Sequence, residues 1–416
     1  MNFRKLLMVV GCLFASIMLV RADDWLGFRG PAGLGIAKDK GLPVSWGEGK
    51  NVAWKTALPG PGSSSPIVVG NKIFVTCYSG YAEDRDNPGD IKKLMRHVVC
   101  VDRAGGKIVW KRDISAVQPE HECGTFLNLH GYASSTPVSD GKSVFVFLGI
   151  SGVVAFDLDG KELWKTSVGK GTNSWGTGTS PIVYKDLVII NASVESGSLV
   201  ALNKKTGDEV WRAKDISQSW STPVLAKVGG RTELVVSGSK KILGFEPDTG
   251  KELWHADSFD WYVCPTVTAH NGVVYALQNS TCVAVKAGGK GDVTKSHTLW
   301  QKDFGNTVTS PTFHEGHIYW AGPVATCLNA ADGKVVYKER LKPDGSTFYA
   351  APVLGDGKIY YVSRTNGTYV VAASPKFGQL AHNTLDNSVF NASPAVSNSQ
   401  LFLRSDRFLY CIATEK

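Results

Sequence analysis

The chain has 416 residues, with 45 Lys and Arg against 37 Asp and Glu and a formal net charge of +8. The excess is small and its charges are scattered, which argues against a nucleic-acid surface built on basic runs. Its eight cysteines contain no C-x-x-C pair, so neither a zinc ribbon nor a thioredoxin-like redox site is supported.

Arg4 and Lys5 precede the apolar run LLMVVGCLFASIMLV, and Val20 and Ala22 hold the small-residue positions before a cut; residues 1–22 read as a secretory signal. The run is about 15 residues, short of the roughly 18 that suggest a spanning helix, and no later segment is long enough. Too little apolar sequence precedes Cys12 for a lipoprotein cleavage box. Losing Arg4, Lys5 and Arg21 leaves a charge of about +5. The mature chain is expected to be exported, periplasmic or extracellular, without a membrane span, and monomeric. Residues 23–50 form a lead-in, and residues 51–416 a single domain.

That domain keeps restarting. Ser/Thr/Ala/Cys-Pro steps recur at Pro66, Pro137, Pro181, Pro223, Pro265, Pro311, Pro352 and Pro394, a period of about 42 residues with one longer first unit. Each unit carries short runs rich in Val, Ile, Tyr and Phe, such as KIFVTCY and LVIINAS, divided by Gly, Asn and Asp. These are strands, so the period belongs to propeller blades. The second half of a unit is a strand, an Asp/Asn-to-Gly turn and an outer strand ending in Trp, as at Trp110, Trp164, Trp211 and Trp254. The recurrent Trp is expected to pack between blades. Cys100, Cys327 and Cys411 share a position filled elsewhere by Ala155 and Ala201, as small buried strand residues would.

The last unit stops after its third strand, while Asn51 to Leu58 has the form of the missing outer one. The predicted fold is therefore all-β, an eight-bladed β-propeller of four-stranded antiparallel blades, closed by the N-terminal strand completing the last blade. The plan Ala-x-Asp-x-x-x-Gly-Lys-x-x-Trp after a Ser-Pro-x-Val strand resembles the pyrroloquinoline-quinone-type propeller repeat, shared by quinoprotein alcohol dehydrogenases and the outer-membrane assembly lipoprotein BamB. The lead-in DWLGFRGPAGLGIA resembles exported propellers of planctomycete-type bacteria. The resemblance specifies fold far more strongly than function.

Two insertions, Ser79 to His97 and Ser115 to Ser135, fall on one face and are expected to form a partial lid, with Phe126, Leu127, Leu129 and Tyr132 as an apolar core for the second. Residues before the marker prolines should ring the channel mouth beneath it. Those expected there are Asn128, His130, Tyr132, Trp175, Trp220, Trp261, Tyr262, Tyr349, Phe390 and Asn391, with Phe348, Asn173 and Asn306 nearby. Aromatics at a channel mouth suit a flat ligand or a peptide segment. The run EHEC, Glu120 to Cys123, matches no standard metal-ligand spacing.

The pattern contains no G-x-S-x-G or H-E-x-x-H motif, so no catalytic residue and no metal ligand is assigned. The expected function is a non-catalytic binding or scaffold module for a protein, peptide or surface polymer. The alternative implied by the resemblance is a quinoprotein dehydrogenase using pyrroloquinoline quinone with calcium. The chain lacks that family's adjacent cysteines, and Asp260 and Asn391 give only an incomplete calcium set.

Overall fold

The computed structural model describes residues 24–84 and 86–414, without the side chains of residues 279 and 305–307. The expected signal, residues 1–22, and the side chain of Asn306 lie outside that description.

Alternation of β-branched and aromatic residues between glycine turns gives eight sheets, with a short strand of two to five residues at the inner edge of each. In the first blade these strands are Ile67–Val69, Lys72–Ser79, Met95–Asp102 and Ile108–Ser115. Blade 5 departs in detail: its second and third strands run together as Val273–Lys286, and the Ala287 N–H donates to the Gly272 carbonyl at 2.7 Å, across the open end of that hairpin. The ring closes as the sequence requires. Val52–Ala57 pairs antiparallel with Phe408–Ile412, so the two ends of the chain share blade 8.

The outer edge of each blade explains the repeat's composition. A β-bulge interrupts the pairing of the outer strand in every blade, and next to it, in all but blade 7, where Ala381 faces Val370, an outer-strand aromatic faces a small residue of the third strand. Cys100 faces Trp110, Ala155 faces Trp164, Ala201 faces Trp211 and Cys411 faces Trp54. Cys100, Cys327 and Cys411 are fully buried free thiols. The position demands smallness rather than sulfur.

The indole then reaches the next blade. The Nε1 of Trp110, Trp164, Trp211, Trp300 and Trp54 donates to a turn carbonyl of the neighbouring blade at 2.9–3.1 Å. Gly207 shows why that turn needs glycine: its φ is +79°, and a Cβ there would stand 2.7 Å from the Trp164 ring. Trp254 is the exception. Blade 5 follows with a longer segment whose Gly291–Asp292 pairs parallel along Trp254 and His255, and the indole turns back to donate to the buried Glu233 carboxylate at 2.7 Å.

A second set of inter-blade bonds runs round the channel. In seven of the eight blades the residue before the marker position is a Ser or Thr whose hydroxyl accepts from the equivalent N–H of the preceding blade, from Ser65 to Thr136, Thr136 to Ser180, and so on through Thr222, Thr266 and Ser310. Ala351 to Ser393 and Ser393 to Ser65 complete the circuit. In blade 5 the marker position is held by Val267 and not by Pro265, because Thr266 carries the latch and Thr268–His270 is the inner strand. Only the Ser310 to Ala351 junction lacks a hydroxyl acceptor at this position. Ala351→Ser is expected to raise the unfolding free energy by about 1 kcal/mol, measured by urea denaturation, as one more buried hydrogen bond would.

The lead-in crosses the ring on the side away from the insertions. Trp25 bridges Val68 of blade 1 through two 2.9 Å backbone bonds, and Gly35 and Ala37 bond Leu354 of blade 7 at 2.8 and 2.7 Å. Between them Arg29 is fully buried in the channel, where its guanidinium donates to the carbonyls of Leu34, Val267 and Pro311 and to the hydroxyls of Thr268 and Thr312. Phe28 is left facing the channel above.

Candidate functional site

The hydroxyl ring is the waist of a cavity of about 240 Å³ floored by Phe28. Above the waist the wall is aromatic. Trp175 packs against Trp220 at 5.0 Å, edge-on against Tyr262 at 4.2 Å and against Phe126 at 4.5 Å between ring centroids. Tyr349 stands on the same wall, with the Arg364 guanidinium over its ring at 4.7 Å.

The second insertion caps this cavity. Its single helical turn, Leu127–His130, is tied to three blades: the Leu129 carbonyl accepts from Asn391 Nδ2 at 2.7 Å, the His130 carbonyl from Ser63 Oγ at 2.9 Å, and His130 Nε2 donates to the Trp175 carbonyl at 2.8 Å. Both insertions share one core, in which Leu127 and Tyr132 pack with Tyr78, Tyr81 and Leu94. Phe126 remains half exposed on Trp175 instead of joining that core.

Of the ten residues expected at the mouth, His130, Trp175, Trp220, Tyr262, Tyr349 and Asn391 line the cavity. The other four do not. Trp261 points outward and is 67% exposed, Phe390 packs with Tyr410 in the core, Tyr132 is inside the lid core, and Asn128 accepts from the Cys123 thiol. Phe348 is buried against Tyr361 and Tyr369, and Asn173 holds the Trp175 N–H. The polar groups expected to face a ligand are thus largely occupied in holding the lid. Sequence reasoning missed the hydroxyl ring, Phe28 and Cys264, and placed Phe126 and Leu129 in the lid core although both line the cavity. The Ser/Thr before each marker was the available signal for the ring.

The cavity is uncharged. Burial lowers the His130 pKa, so its imidazole is neutral at pH 7, and burial pushes the Cys264 thiol up to about 12. Among the described residues no Lys, Arg, Asp or Glu lines it, although the Arg364 guanidinium stands over the ring of Tyr349. The quinone cofactor that the fold brings to mind carries three carboxylates and is held with calcium, and this donor set supplies neither cations for the first nor carboxylates for the second. Asp260 is exposed and off the wall, and Asn391 is engaged with the lid. These residues do not fit that group.

Charge is instead concentrated beneath the lid between blades 1 and 3. Arg96, nearly fully buried, pairs with Glu120 and also donates to the Tyr132 carbonyl at 3.1 Å and Ser151 Oγ at 3.0 Å. Glu120 is therefore a lid anchor. Nearby Glu195 is buried, forms no ion pair among the described residues, takes a hydrogen bond from Thr177, and is raised by burial to about 7.

Among the described residues no helix is long and apolar enough to cross a membrane. The family model described as outer membrane protein assembly factor BamB matches residues 95–319 and 270–410. BamB of Burkholderia pseudomallei (strain K96243) is 25% identical over 377 residues, covering 85% of this chain and 86% of that protein. The crystal structure of BamB from Moraxella catarrhalis superposes with a TM-score of 0.59 at 12% identity, over 87% of this chain and 99% of that one. A europium-containing methanol dehydrogenase superposes with a TM-score of 0.64 at 14% identity, over 92% and 89%, a likeness of fold alone. The eight closed blades, their repeat and the extent of the match together place this chain in the family of the outer membrane protein assembly factor BamB.

Proposed function

We propose that the protein is an exported, monomeric binding scaffold that receives an uncharged, aromatic-bearing segment of a protein partner at the lidded channel mouth. The observation that carries this reading is the neutral wall: aromatic faces above a ring of hydroxyls, with no Lys, Arg, Asp or Glu among the described residues that line it. Membership in a family described by assembly supports a protein partner, and residues 1–22 support export.

The test has two arms. A displayed library of random 12-residue peptides is expected to yield neutral sequences with Trp, Tyr or Phe, whose affinity drops about tenfold or more in Trp175→Ala, as for a buried aromatic anchor. Pyrroloquinoline quinone with calcium, titrated calorimetrically, is expected to show no saturable binding at micromolar concentrations. Saturable quinone binding would replace this reading with a dehydrogenase. Peptide affinities unchanged by Trp175→Ala would move the binding site off the channel.

A further inference from the structure

The roots of the two insertions carry a second constellation, on the side of blade 1 that faces blade 8. Ser79 ends the second strand of the blade, His97 lies in the third and Asp113 in the fourth. In the ladder His97 stands opposite both Cys77 and Asp113, and Ser79 is two residues beyond Cys77, so all three side chains share one face. Ser79 Oγ is 2.7 Å from His97 Nε2, and His97 Nδ1 is 2.7 Å from Asp113 Oδ1.

Proton roles follow from the chemistry. An ionised carboxylate only accepts, so Nδ1 carries a hydrogen, and in the corresponding neutral tautomer Nε2 is the acceptor for the Ser79 hydroxyl. Although burial would raise its pKa, hydrogen bonds from His97 and Lys111 hold Asp113 below the usual carboxylate range, which keeps it ionised. The imidazole is almost wholly buried while Ser79 is half-buried and Gly80 exposed. The backbone N–H of Gly80, next to the serine, donates to Glu83 Oε1 at 2.7 Å. That N–H is a donor next in the chain to the serine and already holds a negatively charged oxygen, which is the chemistry an oxyanion requires.

We propose that Ser79, His97 and Asp113 form an acyl-transfer site for small esters, with Glu83 as a displaceable occupant of its oxyanion position. Ser79 Oγ bonds to the ester carbonyl carbon and its proton passes to His97 Nε2, while the carbonyl oxygen takes the negative charge at the Gly80 N–H. The bond to the leaving alkoxide then breaks and His97 returns the proton to it. Water repeats the sequence on the acyl-serine, releasing the acid and restoring Ser79. Asp113 is a positioning residue that fixes the tautomer.

The site is independent of the channel reading and is tested with a fluorophosphonate probe on the full mature protein, read by peptide mass. One adduct at Ser79 is expected in the wild type, forming several-fold faster in Glu83→Ala, on the order of 100-fold slower in His97→Gln, and absent in Ser79→Ala, in line with the usual contribution of a general base. A merely structural Ser-His-Asp bond would give no His97-dependent phosphonylation. Absence of a Ser79 adduct in both wild type and Glu83→Ala, or an unchanged rate in His97→Gln, overturns the proposal.

Discussion

Arg29→Met is expected to lower the unfolding free energy by about 4 kcal/mol, one of the largest single-residue losses in this chain. The methionine fills much of the same volume, but it abandons the carbonyls of Leu34, Val267 and Pro311, and each buried acceptor left unpaired costs about 1–3 kcal/mol. Burial of the guanidinium works in the other direction: desolvation lowers its pKa to about 9, so part of the loss is offset when the charge is removed. Its contacts nevertheless join the lead-in to blades 5 and 6 at the centre of the ring, where no surface residue can substitute. Urea denaturation measures the change. A loss below about 1 kcal/mol would mean that water re-enters the channel and satisfies the same carbonyls.

Glu195→Gln is expected to stabilise the protein by up to roughly 3 kcal/mol at pH 8 and to change little at pH 5. The sign follows from burial, which raises the folded-state pKa from 4.5 to about 7, with a smaller raising contribution from Glu120 against a lowering one from Arg96 and the Thr177 hydrogen bond. Between those two values the folded protein holds more protons than the unfolded chain. Stability is therefore fully present below about pH 4.5 and falls as pH rises toward and through 7. Glutamine cannot ionise, so it removes this slope while its amide oxygen still accepts from Thr177. Unfolding free energies of both proteins at pH 5 and pH 8 make the comparison. Parallel pH dependences would show that Glu195 is ionised at neutral pH and solvated by an opening beneath the lid.

The missed parts of the site trace to particular residues. Taking Pro265 as the blade 5 marker displaced that repeat by two positions, and Trp261 and Tyr262 were then placed together at the mouth. In the structure they are adjacent in the chain but opposite in direction: Tyr262 lies on the cavity wall and Trp261 in solvent. Asn391 and His130, expected at the channel mouth, do face the cavity. Their bonds go to the Leu129 and Trp175 carbonyls, contacts made between segments far apart in the chain. Phe28 was invisible as a floor, because its position depends on where the lead-in crosses the ring.

What the sequence determined by itself was local and repetitive. The 42-residue period, the strand-forming runs, the glycine turns, the outer Trp and the orphan strand 51–58 each act within one unit or between neighbours, so their repetition specified eight blades and the closure of the ring. Only the tertiary structure decided how the channel is filled. Arg29 entered it, Phe28 floored it, the turn Leu127–His130 capped it, and Ser79, His97 and Asp113 met across one face of blade 1. Those contacts occur once, between segments whose separation no period constrains, and buried hydrogen-bonding partners become identifiable only when packing brings them together.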